Sequence, residues 1–204
     1  MSLKPKGDGP PGPQLSQRKP TAKSELPGHM SSGRVRLTDK IQTRKRAAEI
    51  IADLRRRGRR VVFTNGCFDL LHGGHALHLE QARELGDYLI VGVNSDQSVR
   101  ALKGEGRPIV PEGERAQLIA ALASVDLVIV FGELRVTPLL ELLRPDVFVK
   151  GADYALETLD QGERRCVESY GGEIVLLPLV PSTSTTAMIK HIVACCAPPN
   201  TDHG

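Results

Sequence analysis

Hydrophobic and polar positions alternate in a regular order from Thr38 onward. Ile41, Ala47, Ala48, Ile50, Ile51 and Leu54 recur at roughly helical spacing, predicting a helix that opens on Thr38 as N-cap and closes at Arg57 and Gly58. Residues 61–64 then read as a short apolar strand. Residues 74–85 read as a helix with a stripe of Leu77, Leu79, Ala82 and Leu85, and residues 88–93 as a second strand. The order continues with a helix over 95–102, a Gly- and Pro-rich loop over 103–113, a helix over 114–123 and a strand over 127–130. A helix over 139–143, a strand over 147–149, a helix over 161–170, a strand over 174–177 and a closing helix over 185–195 complete it. Unbroken apolar strands alternating with helices predict an α/β fold, a parallel sheet with helices on both faces, because right-handed crossovers lay the helices there. Ligands of such sheets sit beyond the carboxyl ends of the strands, so the polar residues just after each strand are the candidates for chemistry.

Composition narrows the chemistry. Aromatics are 3% of the 204 residues and Trp is absent, which argues against stacking single-stranded nucleic acid on aromatic rings. The apolar runs are far shorter than a bilayer span. The net charge of +3 divides unevenly: residues 1–40 hold 8 Lys and Arg against 3 Asp and Glu, 41–60 hold 8 against 2, and 61–204 hold 11 against 19. Residues 1–37, with six Pro and five Gly, predict a disordered basic tail; 38–197 form one domain, and 198–204 a short tail. No polyanion-binding excess is left for the domain, so neither nucleic acid nor membrane is an expected partner. Cys67, Cys166, Cys195 and Cys196 lack metal or disulfide spacing, and the N-terminus lacks the apolar core of a secretory signal, so a cytoplasmic location is expected.

The most informative stretch runs from Thr64 through Asn65, Gly66, Cys67, Phe68 and Asp69 to His72, Gly73, Gly74 and His75. It leaves a strand and enters a helix, where free N–H groups and the helix dipole favour an anion, and two imidazoles three residues apart can donate to phosphate oxygens. His72, His75 and His78 could instead suggest zinc, but i, i+3, i+6 spacing spreads the rings around a helix. Phosphate chemistry requires no thiol nucleophile, so Cys67 is not assigned one. Lys103, Arg107 and Arg115 follow in or near the loop and are candidates to neutralise a triphosphate. Ser184, Thr185 and Thr186 open the last helix, where a Ser184 cap and phosphate contacts are compatible. Asn94 and Asp96 follow the second strand, and Lys150, Gly151 and Asp153 the fourth.

The His-x-Gly-His pattern after a strand closely resembles the nucleotidyltransferase superfamily that includes cytidylyltransferases and pantetheine-phosphate adenylyltransferase. Taken with the runs at 64–69, 102–108, 149–154 and 184–186, the chain from about Thr38 to Ala194 resembles the heptose 1-phosphate adenylyltransferases of bacterial lipopolysaccharide assembly. Gly73 stands where Ala is usual in many relatives, and 181–183 depart from the usual residues. The resemblance implies a Rossmann-like fold with strand order 3-2-1-4-5 and transfer of AMP from ATP to D-glycero-β-D-manno-heptose 1-phosphate. It implies catalytic roles for His72, His75, Lys103 and Arg115. Nucleotide contacts fall to Thr64, Asn65, Gly66, Cys67, Phe68, Gly74, Asn94, Asp96, Gly151, Asp153, Ser184, Thr185 and Thr186. Substrate contacts fall to Asp69, Arg107 and Lys150, with Asp69 alternatively supporting the turn or the metal. Mg²⁺ is expected on the ATP phosphates without an assigned protein ligand. A homodimer is expected, as is a monofunctional chain with a separate heptose kinase and a phosphatase as pathway neighbours. A cytidylyltransferase acting on glycerol 3-phosphate is the alternative of the same class, and a non-catalytic nucleotide-binding protein that of another.

Overall fold

The computed structural model describes residues 36–151, 159–178 and 184–196. The predicted tails, apart from Arg36 and Leu37, lie outside these, as do Asp153 and residues 181–183. The elements in chain order are α1 (Leu37–Lys40), α2 (Arg44–Arg56), β1 (Val61–Gly66), α3 (Gly73–Glu84), β2 (Tyr88–Asn94), α4 (Asp96–Lys103), α5 (Glu112–Ala120), β3 (Leu127–Phe131), α6 (Thr137–Leu143), β4 (Val147–Gly151), α7 (Gln161–Ser169), β5 (Glu173–Leu177) and α8 (Thr185–Cys196).

All five strands pair in parallel in the order β3-β2-β1-β4-β5. Successive strand residues point to opposite faces, and both faces are covered, which is why the strands read as continuous apolar runs. On one face Val61, Phe63, Ile90, Ile129 and Phe148 meet Ala47, Ile51 and Leu54 of α2, Leu139, Leu140 and Leu143 of α6 and Val167 of α7. On the other, Val62, Leu89, Val91, Val147 and Val149 meet Leu79 and Ala82 of α3 and Ala116, Ile119 and Ala120 of α5. At the amino ends of the strands three carboxylates accept otherwise orphaned N–H groups: Asp87 from Arg60 at 2.8 Å, Asp126 from Leu89 at 2.8 Å and Asp146 from Val61 at 2.7 Å. These bonds satisfy the amino ends of the strands, while ligands of parallel sheets sit beyond the carboxyl ends.

The helix predicted from Thr38 is two helices. Its cap is Thr43, whose Oγ1 accepts from Arg46 N at 3.2 Å, whereas Thr38 lies inside α1, which has no side-chain cap. The reason is a tertiary contact. Ile41 forms an isolated parallel bridge with Val128, and Gln42 N donates to Val128 O at 2.9 Å, so residues 41–42 are drawn along the outer edge of β3. The loop after α4 is also shorter than predicted, because α5 begins at Glu112.

Candidate active site

The turn between β1 and α3 brings the two histidines together. His72 occupies the N-cap position of α3 and His75 its third residue, and their rings stack at 3.8 Å between centroids with planes 21° apart. Phe68 packs edge-on against His75 at 5.2 Å and 66°. Phe68 itself holds φ +47°, in the left-handed region that non-glycine residues rarely adopt, and such backbone costs collect at functional turns. Gly66 permits it: a Cβ there would stand 3.0 Å from the Phe68 ring. Gly73, the departure noted in the sequence, faces open space, so alanine and glycine fit equally.

Burial depresses both imidazoles. His75 is lowered to about 4, first by burial and then by the neighbouring His72 and His78, and His72 is lowered by burial. At neutral pH the pair is therefore uncharged. The Nδ1 atoms of both rings are buried without a protein partner. A neutral imidazole carries its one N–H on either ring nitrogen, so each ring can donate one hydrogen bond to a bound anion. His78, given no role in the sequence reading, meets the Thr64 hydroxyl at 3.3 Å, while Thr64 donates to Val149 O at 3.0 Å.

Several predicted ligand contacts are committed elsewhere. Arg115 is fully buried and donates to Val110 O at 2.8 Å, Cys67 O at 2.5 Å and Asp96 Oδ1 at 2.7 Å. It is therefore a clamp between segments and not an open phosphate cation. Arg107 pairs with Asp69, whose other oxygen accepts from Ile109 N at 2.7 Å and Val110 N at 3.0 Å. That carboxylate, 5% exposed, braces the turn against the loop, the alternative role considered for it. Thr64 is buried with its hydroxyl engaged, and Asn94 is buried and donates to Ser98 Oγ at 3.2 Å. Asp96 accepts from Arg115, and its own N–H donates to Glu112 at 2.7 Å. Asn65 keeps a buried Oδ1 without a protein partner.

Lys150, at the end of β4, forms an ion pair of 3.0 Å with Glu163 of α7, and its ammonium lies 4.9 Å from the centre of the Phe148 ring. Glu163, 4% exposed, is the residue that sequence reasoning missed; a carboxylate inside an otherwise ordinary helix gives no local signal of a partner thirteen residues away. Lys103 is exposed at the end of α4 and close enough to act on the Cys67 thiol, which burial nonetheless raises, keeping it protonated and unsuited to nucleophilic work. Gly151 closes β4. Ser184 caps α8 by accepting from Ala187 N at 3.1 Å; Thr185 is half-buried and Thr186 exposed in its first turn. Among the described residues no group of three His, Cys, Asp or Glu side chains converges on a metal position, so neither zinc at the histidines nor a carboxylate cage for magnesium is assembled there.

A parallel sheet in this order, with a paired-histidine turn at a helix N-terminus beyond β1, is a Rossmann-like arrangement suited to receiving an anionic group such as a nucleotide phosphate. Residues 63–192 match the cytidylyltransferase-like family model. The chain is 47% identical over 169 residues to the bifunctional protein HldE of Syntrophotalea carbinolica, covering 83% of this chain and 34% of that protein. It is 54% identical over 153 residues to the bifunctional protein HldE of Acidiphilium cryptum, covering 75% and 31%. The chain thus spans about a third of the length of these relatives. Among solved structures, the lipopolysaccharide core biosynthesis protein of Thermoplasma volcanium superposes with a TM-score of 0.50 at 30% identity, over 60% of this chain and 98% of that one. The chain belongs to the cytidylyltransferase-like family.

Proposed function

We propose that this nucleotidyltransferase transfers AMP from ATP to D-glycero-β-D-manno-heptose 1-phosphate, releasing pyrophosphate and forming ADP-heptose. The observation that carries the reading is the stacked, uncharged His72–His75 pair at the start of α3, beside the unpaired first N–H groups of that helix. The motif resemblance and the similarity to HldE proteins and to a lipopolysaccharide core biosynthesis protein support the heptose phosphate as acceptor.

An oxygen of the sugar phosphate attacks the α-phosphorus of ATP in line, the bond to the bridging oxygen breaks, and pyrophosphate leaves. The nucleophile is already an anion, so no general base is needed, and catalysis is positioning plus charge stabilisation. His72 and His75 donate to the α-phosphate and the leaving bridge. Lys103 meets the outer phosphates from the solvent side. Mg²⁺ bound together with ATP would supply further neutralisation of the leaving group; Asp69 and Asp96 are occupied by arginines. The working state is a homodimer in the cytoplasm, its sugar phosphate supplied by a kinase and its pathway continued by a phosphatase.

Pyrophosphate release with Mg²⁺ tests this, pairing ATP or CTP with the heptose phosphate or glycerol 3-phosphate. Release with ATP and the heptose phosphate alone is expected, and His75→Ala should lower that rate by about 10² to 10³ with the fold retained. Release with CTP and glycerol 3-phosphate alone would keep the fold and overturn the substrate; silence in every pairing would favour a nucleotide-binding protein.

A further inference from the structure

We infer that Arg115 is a positioning residue for the His72–His75 pair, acting through the Cys67 carbonyl and the Phe68 ring, and does not itself meet the nucleotide. Its activity arm rests on the reaction proposed above. A guanidinium at 0% exposure requires partners for its charge and its N–H groups, and it finds them on three different segments. Nη1 reaches Cys67 in the β1–α3 turn, Nη2 reaches Asp96 at the start of α4, and Nε reaches Val110 in the loop. At 0% exposure, with its N–H groups engaged on these three segments, it presents no open face to a phosphate.

From the Cys67 carbonyl a chain of direct contacts leads to the chemistry. Holding that oxygen orients the peptide entering Phe68, the residue at φ +47°. The conformation lays the Phe68 ring over Gly66 and edge-on to His75, which stacks on His72. Asp69 closes the circuit, because the loop whose Val110 carbonyl Arg115 uses is the loop whose Val110 N–H Asp69 holds. Lysine cannot replace this fork: one ammonium on a flexible stem does not serve three acceptors in a fixed plane.

The experiment uses the full chain as Arg115→Lys and as Phe68→Leu, read by NMR titration of the histidine Cε1 protons and by steady-state kinetics. His75, which titrates at about 4 beside His72 and His78, should move upward by about one unit or more toward the ordinary value as its ring is hydrated. The kcat should fall about 10- to 100-fold while KM for ATP stays within about threefold. An unmoved His75 midpoint in folded Arg115→Lys, an unchanged kcat, or a rise confined to KM for ATP would overturn the inference, the last by showing direct phosphate contact. If Arg115→Lys fails to fold, Phe68→Leu decides by the same two readouts. If no substrate pair turns over, the proposed reaction falls while the titration still decides the positioning.

Discussion

His75 couples the site to the stability of the fold. Its folded value of about 4 lies below the ordinary 6.5, so between these values the unfolded chain binds a proton that the folded chain refuses. Stability therefore rises with pH across that window and is lost as pH falls from 6.5 toward 4. His75→Asn should lessen the drop in melting temperature between pH 7 and pH 4.5, as thermal melts at the two pH values will show. The histidines were legible because their spacing, the flanking glycines and the strand before them are all local. The commitments of the charged residues were not. Arg115 and Arg107 read as cations beside a phosphate site, yet which carboxylate each would meet depends on Asp96 and Asp69, brought from 19 and 38 positions away by the crossovers. Lys150 was seen, and the buried Glu163 that holds it was not, for the same reason.

At the scale of elements, the strands were readable because burial on both faces leaves no polar alternation to confuse them, and each observed strand extends the predicted core by one or two residues. The first helix was misread because Ile41 fits a helical stripe and also fits an edge bridge, and the bridge prevails. The cap follows from that choice. Thr43→Ala should lower stability by about 1 kcal/mol in chemical denaturation, whereas Thr38→Ala, within the uncapped first turn, should stay within about 0.5 kcal/mol.

Across the whole molecule, stability is graded from the sheet centre outward. β1 and β2 are almost wholly buried, while β5 is half-exposed and α8 has no buried residue. Native-state hydrogen exchange should find the slowest amides in β1 and β2 and the fastest among the strands in β5, with α8 faster still. The charge division read from the sequence also takes physical form, since the basic run over 41–60 is tied down by Arg44 to Glu133, Arg57 to Asp53, Arg59 to Asp87 and Arg60 to Glu173. One small feature covers part of an outer strand. β3 is an outer strand of Leu127, Val128, Ile129, Val130 and Phe131, and the two residues that lie along it, Ile41 and Gln42, occupy a position that a strand from another molecule could take. The short segment before α2 thus covers part of the β3 edge, and a truncation that removed it should raise aggregation, read by light scattering, while the His72–His75 turn stays in place.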